Sequence, residues 1–359
     1  MEDAKCGILV AVLALTGLAS ICLSAPMAGG PVSSIPGAQE LLDKYTQALD
    51  SLRSTILKVE ISEESEGAFD RNWVDPMVRG TRDKGTKFGR EEYCTDGTRF
   101  HSRVYRWGHI SPREPAVPEE QANYQCRNWD GTQYYQHTRK INAPGLPGSV
   151  NLLRPAEKYQ LWPRNPPMAY LMGYNLASDE RLDAILRKAK RLSVRPKTET
   201  IGGAECYVLD AATDNGDMSL WIDPTHSFHP AKAECTLSEG DRDYDLLLKR
   251  GERRVSRLEN VKFKLVEKAW VPVEADVYLR KNFGGGNNYV NSRYHCRVTE
   301  VLLNPDHETL GSFVNPLDRP GNDPELRNGT WVYKAGERDK QIWQDGTLVP
   351  GKSLNRSKQ

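Results

Sequence analysis

The chain contains no CxxC pair, no GxSxG turn and no HExxH helix. These absences remove thioredoxin-like and zinc-ribbon chemistry, the serine-hydrolase elbow and the zincin site. An excess of either charge is also lacking. Lys and Arg number 49 against 48 Asp and Glu, a formal charge of +1. No electrostatic case follows for nucleic acid or an anionic membrane surface. The apolar share is 38% over 359 residues, low for a globular chain. It predicts a thin core and much wetted surface, not a thick α/β enzyme body. Long apolar runs are nearly absent, and the single one, Gly7 to Leu23, stands at the start.

That run fits the h-region of an export signal, and "CLSA" offers a small-residue cleavage site at Ser24 or Ala25. Residues 1–25 are read as signal peptide or anchor, with cleavage favoured, and 26–37 as a linker. Glu2 and Asp3 depart from the usual basic n-region, and a run of this length is also weighed as a retained anchor. Cys22 invites a lipidation reading, but Ile21 is larger than the residue that normally precedes a lipidated cysteine. The expected location is the periplasm or cell envelope. Without the leader, Cys94, Cys126, Cys206, Cys235 and Cys296 remain, an odd set that cannot all pair within the chain. One or two disulfides and buried free thiols are both open readings.

What the sequence does have is alternation. After an amphipathic helix, "AQELLDKYTQALDSLRS", with Leu41, Leu42, Tyr45, Leu49 and Leu52 at helical spacing, the pattern turns to period two. Leu57, Val59 and Ile61 alternate with Lys58 and Glu60. Hairpin turns are predicted at Asp96-Gly97, Asp130-Gly131 and Asn215-Gly216, where the second residue tolerates positive φ. "LENVKFKLVEKAWVPVEADVYLRK" forms another hairpin, and "NSRYHCRVTEVLL" a further strand. One-sided alternation means a sheet wet on one face and packed on the other. About ten such strands in series must twist and curl. The expected fold is therefore mainly β: a curled antiparallel half-barrel with an N-terminal helix. A helical and looped lid, drawn from the apolar, proline-rich stretch 143–190, covers the concave face. The tail from 304 to 359 reads as an extension with an appended strand pair and a disordered end.

Several stretches together resemble the outer-membrane lipoprotein carrier (LolA-like) superfamily of periplasmic half-barrels. They are "KFGREEYCTDGTRF", "WDGTQYY", "IGGAECYVLDA…GDMSLWIDPTHSFHPAKAE" and "LENVKFKLVEKAWVPVEADVYL". The resemblance covers residues 38–303, with insertions at 108–125 and 143–190, and leaves the tail outside it. It implies a concave face that holds an acyl chain, a lipid or a lipidated polypeptide, with no cofactor. No carrier-contact arginine is assigned by position.

The residues expected to line that face are Leu57, Val59, Ile61, Phe100, Val104, Leu220, Ile222, Phe263, Leu265, Val273, Val277 and Tyr294. Trp107, Trp129, Trp221 and Trp270 lie in or beside strands and read first as core, second as groove lining. His226 and His229 have no third ligand at metal spacing and read as turn residues. Gly284 to Asn288 lacks a phosphate-loop context and reads as a hairpin tip. Asp210, Asp214, Asp217, Glu239, Asp241, Asp243 and Asp245 read as solvated turns rather than a calcium loop. Glu60, Glu63, Glu64, Glu91 and Glu92 have no shared cleft that would make an acid–base pair. The expected activity is binding, not catalysis, with no metal. A sensor or scaffold whose hollow is filled by its own side chains, and which meets an envelope protein partner, is the competing reading. A hydrolase with an unrecognised polar site is the third.

Overall fold

The computed structural model describes residues 35–68, 85–109, 115–139, 148–153, 166–174, 180–243, 246–284, 288–337 and 339–351. The leader, the linker up to Ser34, Leu161 and Trp162 of the proline-rich stretch, Asp245 and the last eight positions fall outside these residues.

The chain enters through α1 (Ala38–Asp50), whose apolar positions Leu41, Leu42, Tyr45, Ala48 and Leu49 are all buried on one face. Glu40 and Lys44 pair across one turn of its wet face at 2.7 Å. The helix ends where Ser51 turns its hydroxyl back to the Ala48 carbonyl, 2.6 Å away. Strand β1 (Thr55–Ala68) follows, then β2 (Gly85–Thr95), β3 (Phe100–Gly108), β4 (Asn123–Trp129), β5 (Tyr134–Arg139) and β6 (Ser149–Leu153). Two short helices come next, α2 (Pro166–Leu171) and α3 (Leu182–Arg187). They lead into β7 (Arg191–Val194), β8 (Glu199–Ile201), β9 (Ala204–Thr213), β10 (Gly216–Asp223) and β11 (His229–Leu237). A two-stranded flap, β12 (Arg242–Asp243) with β13 (Leu246–Leu247), precedes the three longest strands, β14 (Glu252–Val266), β15 (Ala269–Phe283) and β16 (Tyr289–Leu303). The chain closes with α4 (His307–Leu310), β17 (Trp331–Lys334), β18 (Gln341–Gln344) and β19 (Thr347–Pro350).

Among the described residues, seventeen strands form one curled sheet that does not close into a barrel. Its spatial order runs β19, β18, β17, β6, β5, β4, β3, β2, β1, β16, β15, β14, β11, β10, β9, with β7 and β8 sharing the far edge of β9. All neighbours are antiparallel except β17 on β6. Strand β1 is central because it pairs with β2 on one side and β16 on the other, joining the two halves of the sequence. The count exceeds the expected ten or so because turns divide the alternating stretches and the tail contributes three strands. The tail is thus woven into the sheet through β17 rather than standing apart.

The aspartate turns explain themselves. At Asp96, one carboxylate oxygen accepts from the Thr98 and Arg99 amides at 2.8 and 2.7 Å. At Asp130 the Thr132 and Gln133 amides do the same, both at 2.7 Å. Gly216 sits at φ 91°, and a β-carbon there would lie 2.3 Å from the Thr236 carbonyl oxygen, so only glycine fits.

Inward-facing residues of β1, β2, β9, β10, β11, β14, β15 and β16 form the main core with the helices. Leu57, Val59, Tyr93, Leu209, Leu220, Ile222, Leu258 and Val277 pack with Leu41, Leu42 and Tyr45 of α1, Tyr170 of α2 and Ile185 and Leu186 of α3. Ion pairs tie the helices together, Arg187 to Asp43 at 2.8 Å and Arg181 to Asp50 at 2.6 Å. A second core lies on the outer face of β4 to β6. There Tyr124, Cys126, Tyr135, Val150 and Leu152 pack against Val332 and Trp343 of the tail. Asp323 is fully buried over this layer and accepts from Tyr124 at 2.8 Å, Tyr135 at 2.6 Å and His137 Nδ1 at 2.8 Å. Burial pushes its carboxyl up, but the bonds from His137, Tyr135 and Tyr124 more than offset that and hold it below the usual carboxylate range.

Cys94, Cys126, Cys206, Cys235 and Cys296 are buried and unpaired. Of the two readings left open by the sequence, free thiols describe the fold. Burial pushes the thiols of Cys94, Cys206, Cys235 and Cys296 up to about 12, so they behave as small apolar residues.

Candidate functional site at the open end of the concave face

The three helices do not fill the whole hollow. Beyond Tyr170, whose hydroxyl bonds Ser256 on β14, the concave face continues without a covering helix among the described residues. A cavity of about 430 Å³ lies there.

The strand registers build its wall. Ile61 on β1 faces inward beside Gly89 of β2 and Cys296 of β16. Two residues on, Glu63 lies between Lys87 and Tyr294. Leu279 of β15 lies between Ser256 of β14 and Ser292 of β16, and the next inward residue, Lys281, lies between Arg254 and Val290. Arg254 is in turn opposite Leu237 of β11. Val104 and Arg106 complete the wall from β3. The lining is thus mixed: Ile61, Val104, Leu237, Leu279, Val290 and Tyr294 supply apolar surface, and charged groups sit at intervals between them.

Four of those charges form two internal pairs. Lys87 reaches Glu63 at 2.9 Å, and Arg254 pairs with Asp243 of the flap. Arg280 lies over the Tyr289 ring, 5.6 Å from its centroid. Partial desolvation at the cavity wall, then the neighbouring Arg254, draws the Lys281 ammonium below the ordinary lysine value. Burial also pushes the Tyr294 phenol upward, with Glu63 adding to the effect.

The residues expected to line the concave face divide into three groups. Leu57, Val59, Phe100, Leu220, Ile222 and Val277 are buried against the helical filling, and Val273 packs on the same core. Ile61, Val104 and Tyr294 line the cavity. Phe263 and Leu265 belong to neither, which corrects their assignment. Register shifts around Asn260, at φ 55°, and beyond Lys262 place Lys264 opposite the core residue Val271. Phe263 falls opposite Pro272 and Leu265 opposite Trp270 instead. Leu265 is accordingly 53% exposed, and Phe263 stacks on His226 with centroids 4.5 Å apart. The two shifts fall on opposite strands and cancel, so Lys264 keeps the parity of the core residue Leu258, while Phe263 and Leu265 share the parity of Arg257 and Glu259.

The other residues singled out by sequence fall elsewhere. His226 bonds Asp223 at 2.6 Å beside Phe263 and Trp270. Trp221 packs in an outer cluster with Cys206, Val208 and Ala231, and donates to Glu199 at 2.7 Å. Trp107 stacks on Phe88 with centroids 6.2 Å apart, and Trp129 backs the main core. Glu91 is buried and accepts from Ser102 at 2.9 Å. Glu60 pairs with Arg297 at 2.6 Å. Arg254 and Lys281, the charged pair of the cavity, were missed by sequence. A signal existed: they carry the inward parity of Leu258 and of Val277 and Leu279, one or two steps past the end of the apolar alternation.

No family model matches the chain. Over 104 residues it is 39% identical to natriuretic peptides B of Bos taurus, a match spanning 25% of this chain and 74% of that protein. A quarter of the chain cannot make a sheet that bonds Thr55 at one point and Pro350 at another, so that likeness does not account for the fold. Among solved structures, the chain is similar to a DUF1329 family protein from Desulfovibrio piger, with 11% identity, a TM-score of 0.39, and 75% of this chain and 92% of that one covered. It is similar to lipovitellin with 9% identity and a TM-score of 0.30, covering 71% of this chain and 26% of that one. The MucA/MucB complex of Pseudomonas aeruginosa gives 9% identity and a TM-score of 0.24, covering 74% of this chain and 99% of that one. Likenesses of this size leave the function to the geometry of the cavity.

Proposed function

We propose that this chain is an exported cell-envelope protein that holds an apolar ligand at the open end of its half-barrel, and that it binds rather than catalyses. The ligand class is an acyl chain, a lipid or a lipidated polypeptide, and a lipoprotein-carrier role is the narrowest form of the reading. One observation supports it above the rest. The concave face keeps its inward apolar register past the helices, and a cavity of about 430 Å³ lies on that continuation. Ligand sites of this kind occupy roughly 300–1,000 Å³.

Burial of each methylene is worth roughly 0.8 kcal/mol, so ten contribute about 8 kcal/mol before ordering costs are subtracted. Such binding needs shape and apolar walls, and no proton-transfer pair. Ligand entry past Tyr170 requires α2 to shift from Ser256, which couples occupancy to the helical filling. A fluorescent fatty acid titrated into the mature protein is expected to bind saturably at one site, with lipid retained in native mass spectra.

The competing reading, an envelope sensor or scaffold, draws support from the same helices. They occupy much of the hollow with the chain's own side chains. Absence of any saturable lipid binding, together with capture of one envelope protein at stoichiometric yield, would select it.

A further inference from the structure

Lys281 and Arg254 are directly opposite each other in the β14–β15 ladder and face the same side. Two cations opposed on one face of a sheet repel. No other two cations are opposed in the described pairings: the outer face sets Lys58 against Glu300 at 2.6 Å, and where two carboxylates meet, Glu259 opposite Asp276, Arg293 answers Asp276 at 3.1 Å. The exception falls on the wall of the cavity. Only one member of the pair is answered, because Asp243 takes Arg254. Lys281 is exposed and has no carboxylate partner among the described residues. Next to it, Leu237, Leu279 and Val290 present an apolar surface.

Accepting the cavity as a ligand site, we propose that its occupant is a single-chain anionic amphiphile. Its carboxylate or phosphate sits against Lys281 and Arg254, and its chain runs along Leu279, Leu237, Ile61 and Val104. An anion between the two cations turns a repulsive pair into a clamp. The apolar stretch on one side of the clamp takes the chain. A neutral lipid fills the same volume and leaves the charge unanswered. The cavity therefore selects by headgroup as well as by chain.

The test uses the mature protein and three probes of equal chain length: dodecanoate, dodecyl phosphate and dodecanol, each titrated by calorimetry at low and high salt. At least one anionic probe is expected to bind about tenfold tighter than the alcohol, the worth of one charge-assisted contact. That advantage is expected to shrink at 0.5 M salt. Preference for the dodecanoate arm marks a free carboxylate as the ligand class, and preference for the phosphate arm marks a phosphorylated headgroup. Lys281→Met is expected to bring the anionic probes down to the alcohol and leave alcohol binding unchanged. Lys281→Gln, which keeps the site polar, serves if the methionine variant fails to fold. Equal binding of all three probes overturns the headgroup assignment while the apolar site stands. Binding of none overturns the site itself, and with it both readings.

Discussion

The two ends of the concave face share one strand alternation and differ in what lies on it. At one end Leu42, Tyr45, Ile185 and Leu186 come down on Leu209, Leu220 and Val277, and every one of these is nearly or wholly removed from water. At the other end Ile61, Leu279 and Tyr294 keep the same inward parity, but Lys281 and Arg254 stand among them and a cavity remains. Alternation therefore dictates which face of a strand turns inward. It does not dictate what meets that face. The occupant is decided by how far three helices reach and where the inward positions change from apolar to charged.

A third region provides the outer bound of the comparison, since β4 to β6 are covered on both faces. There the largest effect is expected. Asp323→Ala removes the sole acceptor named for Tyr124, Tyr135 and His137 Nδ1, and breaking a buried pair in this way costs about 3–5 kcal/mol. A loss of that size in the urea midpoint, with dodecanoate affinity retained in the folded fraction, would separate the tail's structural role from the cavity. Because the Asp323 carboxyl is held low in the fold, its contribution is present above the unfolded value near 4 and is lost as pH falls through the folded value.

Next in size is the comparison between the two ends of the hollow itself. Leu42→Ala empties a packed position that is wholly buried, and the cost expected is about 2–5 kcal/mol. Ile61→Ala removes a side chain that already borders open space, so less of it is lost to a new void, and the cost expected is about 1–2 kcal/mol. Paired denaturation curves check this. Equal losses at the two positions would mean that the open end is as tightly filled as the plugged one, and the comparison would fail.

Acid sharpens the same contrast between covered and open surface. His101 is buried with its Nδ1 3.2 Å from Oδ1 of Asn128, whose amide nitrogen donates to the Phe313 carbonyl of the tail. Burial, then the charge of Arg103, draws its pKa down to about 4. The unfolded chain takes up that proton near pH 6.5, so the fold is disfavoured progressively from about pH 6.5 down to about 4 and no further from this group. At pH 5 the loss from His101 alone is about 2 kcal/mol. His101→Gln is expected to flatten the pH dependence of the urea midpoint between pH 7.5 and 5.

How much of this was legible in the sequence follows from where the signals are local. The hairpins at Asp96, Asp130 and Asn215 were readable because each turn is built by its own four residues. The inward set Leu57, Val59, Leu220, Ile222 and Val277 was readable because period two survives uninterrupted through those strands. Phe263 and Leu265 were misplaced because their alternation with Lys262 and Lys264 was read by itself, whereas the parity of Leu258 carries along the strand to Lys264, opposite the core residue Val271. The tail's place in the sheet was hidden for another reason. A parallel pairing of Trp331–Lys334 with Ser149–Leu153 joins residues far apart in sequence, and no turn announces it. Lys281 and Arg254 were passed over because a run was read as ending at its last apolar residue, although the backbone carries the same parity onward.

The smallest effect on stability is expected where the comparison can be reversed. Ser292 faces inward between Leu279 and Ser65, on the cavity wall, and is 8% exposed. Ser292→Leu adds an apolar side chain to a space that already exists, so no neighbour need move, and the stability change expected is within about 1 kcal/mol. Its effect on binding runs the other way, because the new side chain occupies the room the ligand's chain would use. The open end is thereby made to resemble the plugged end by one residue. Unchanged melting with dodecanoate binding lost is the expected pair of results. Undiminished binding would place the ligand outside this cavity, whatever the strength of the binding.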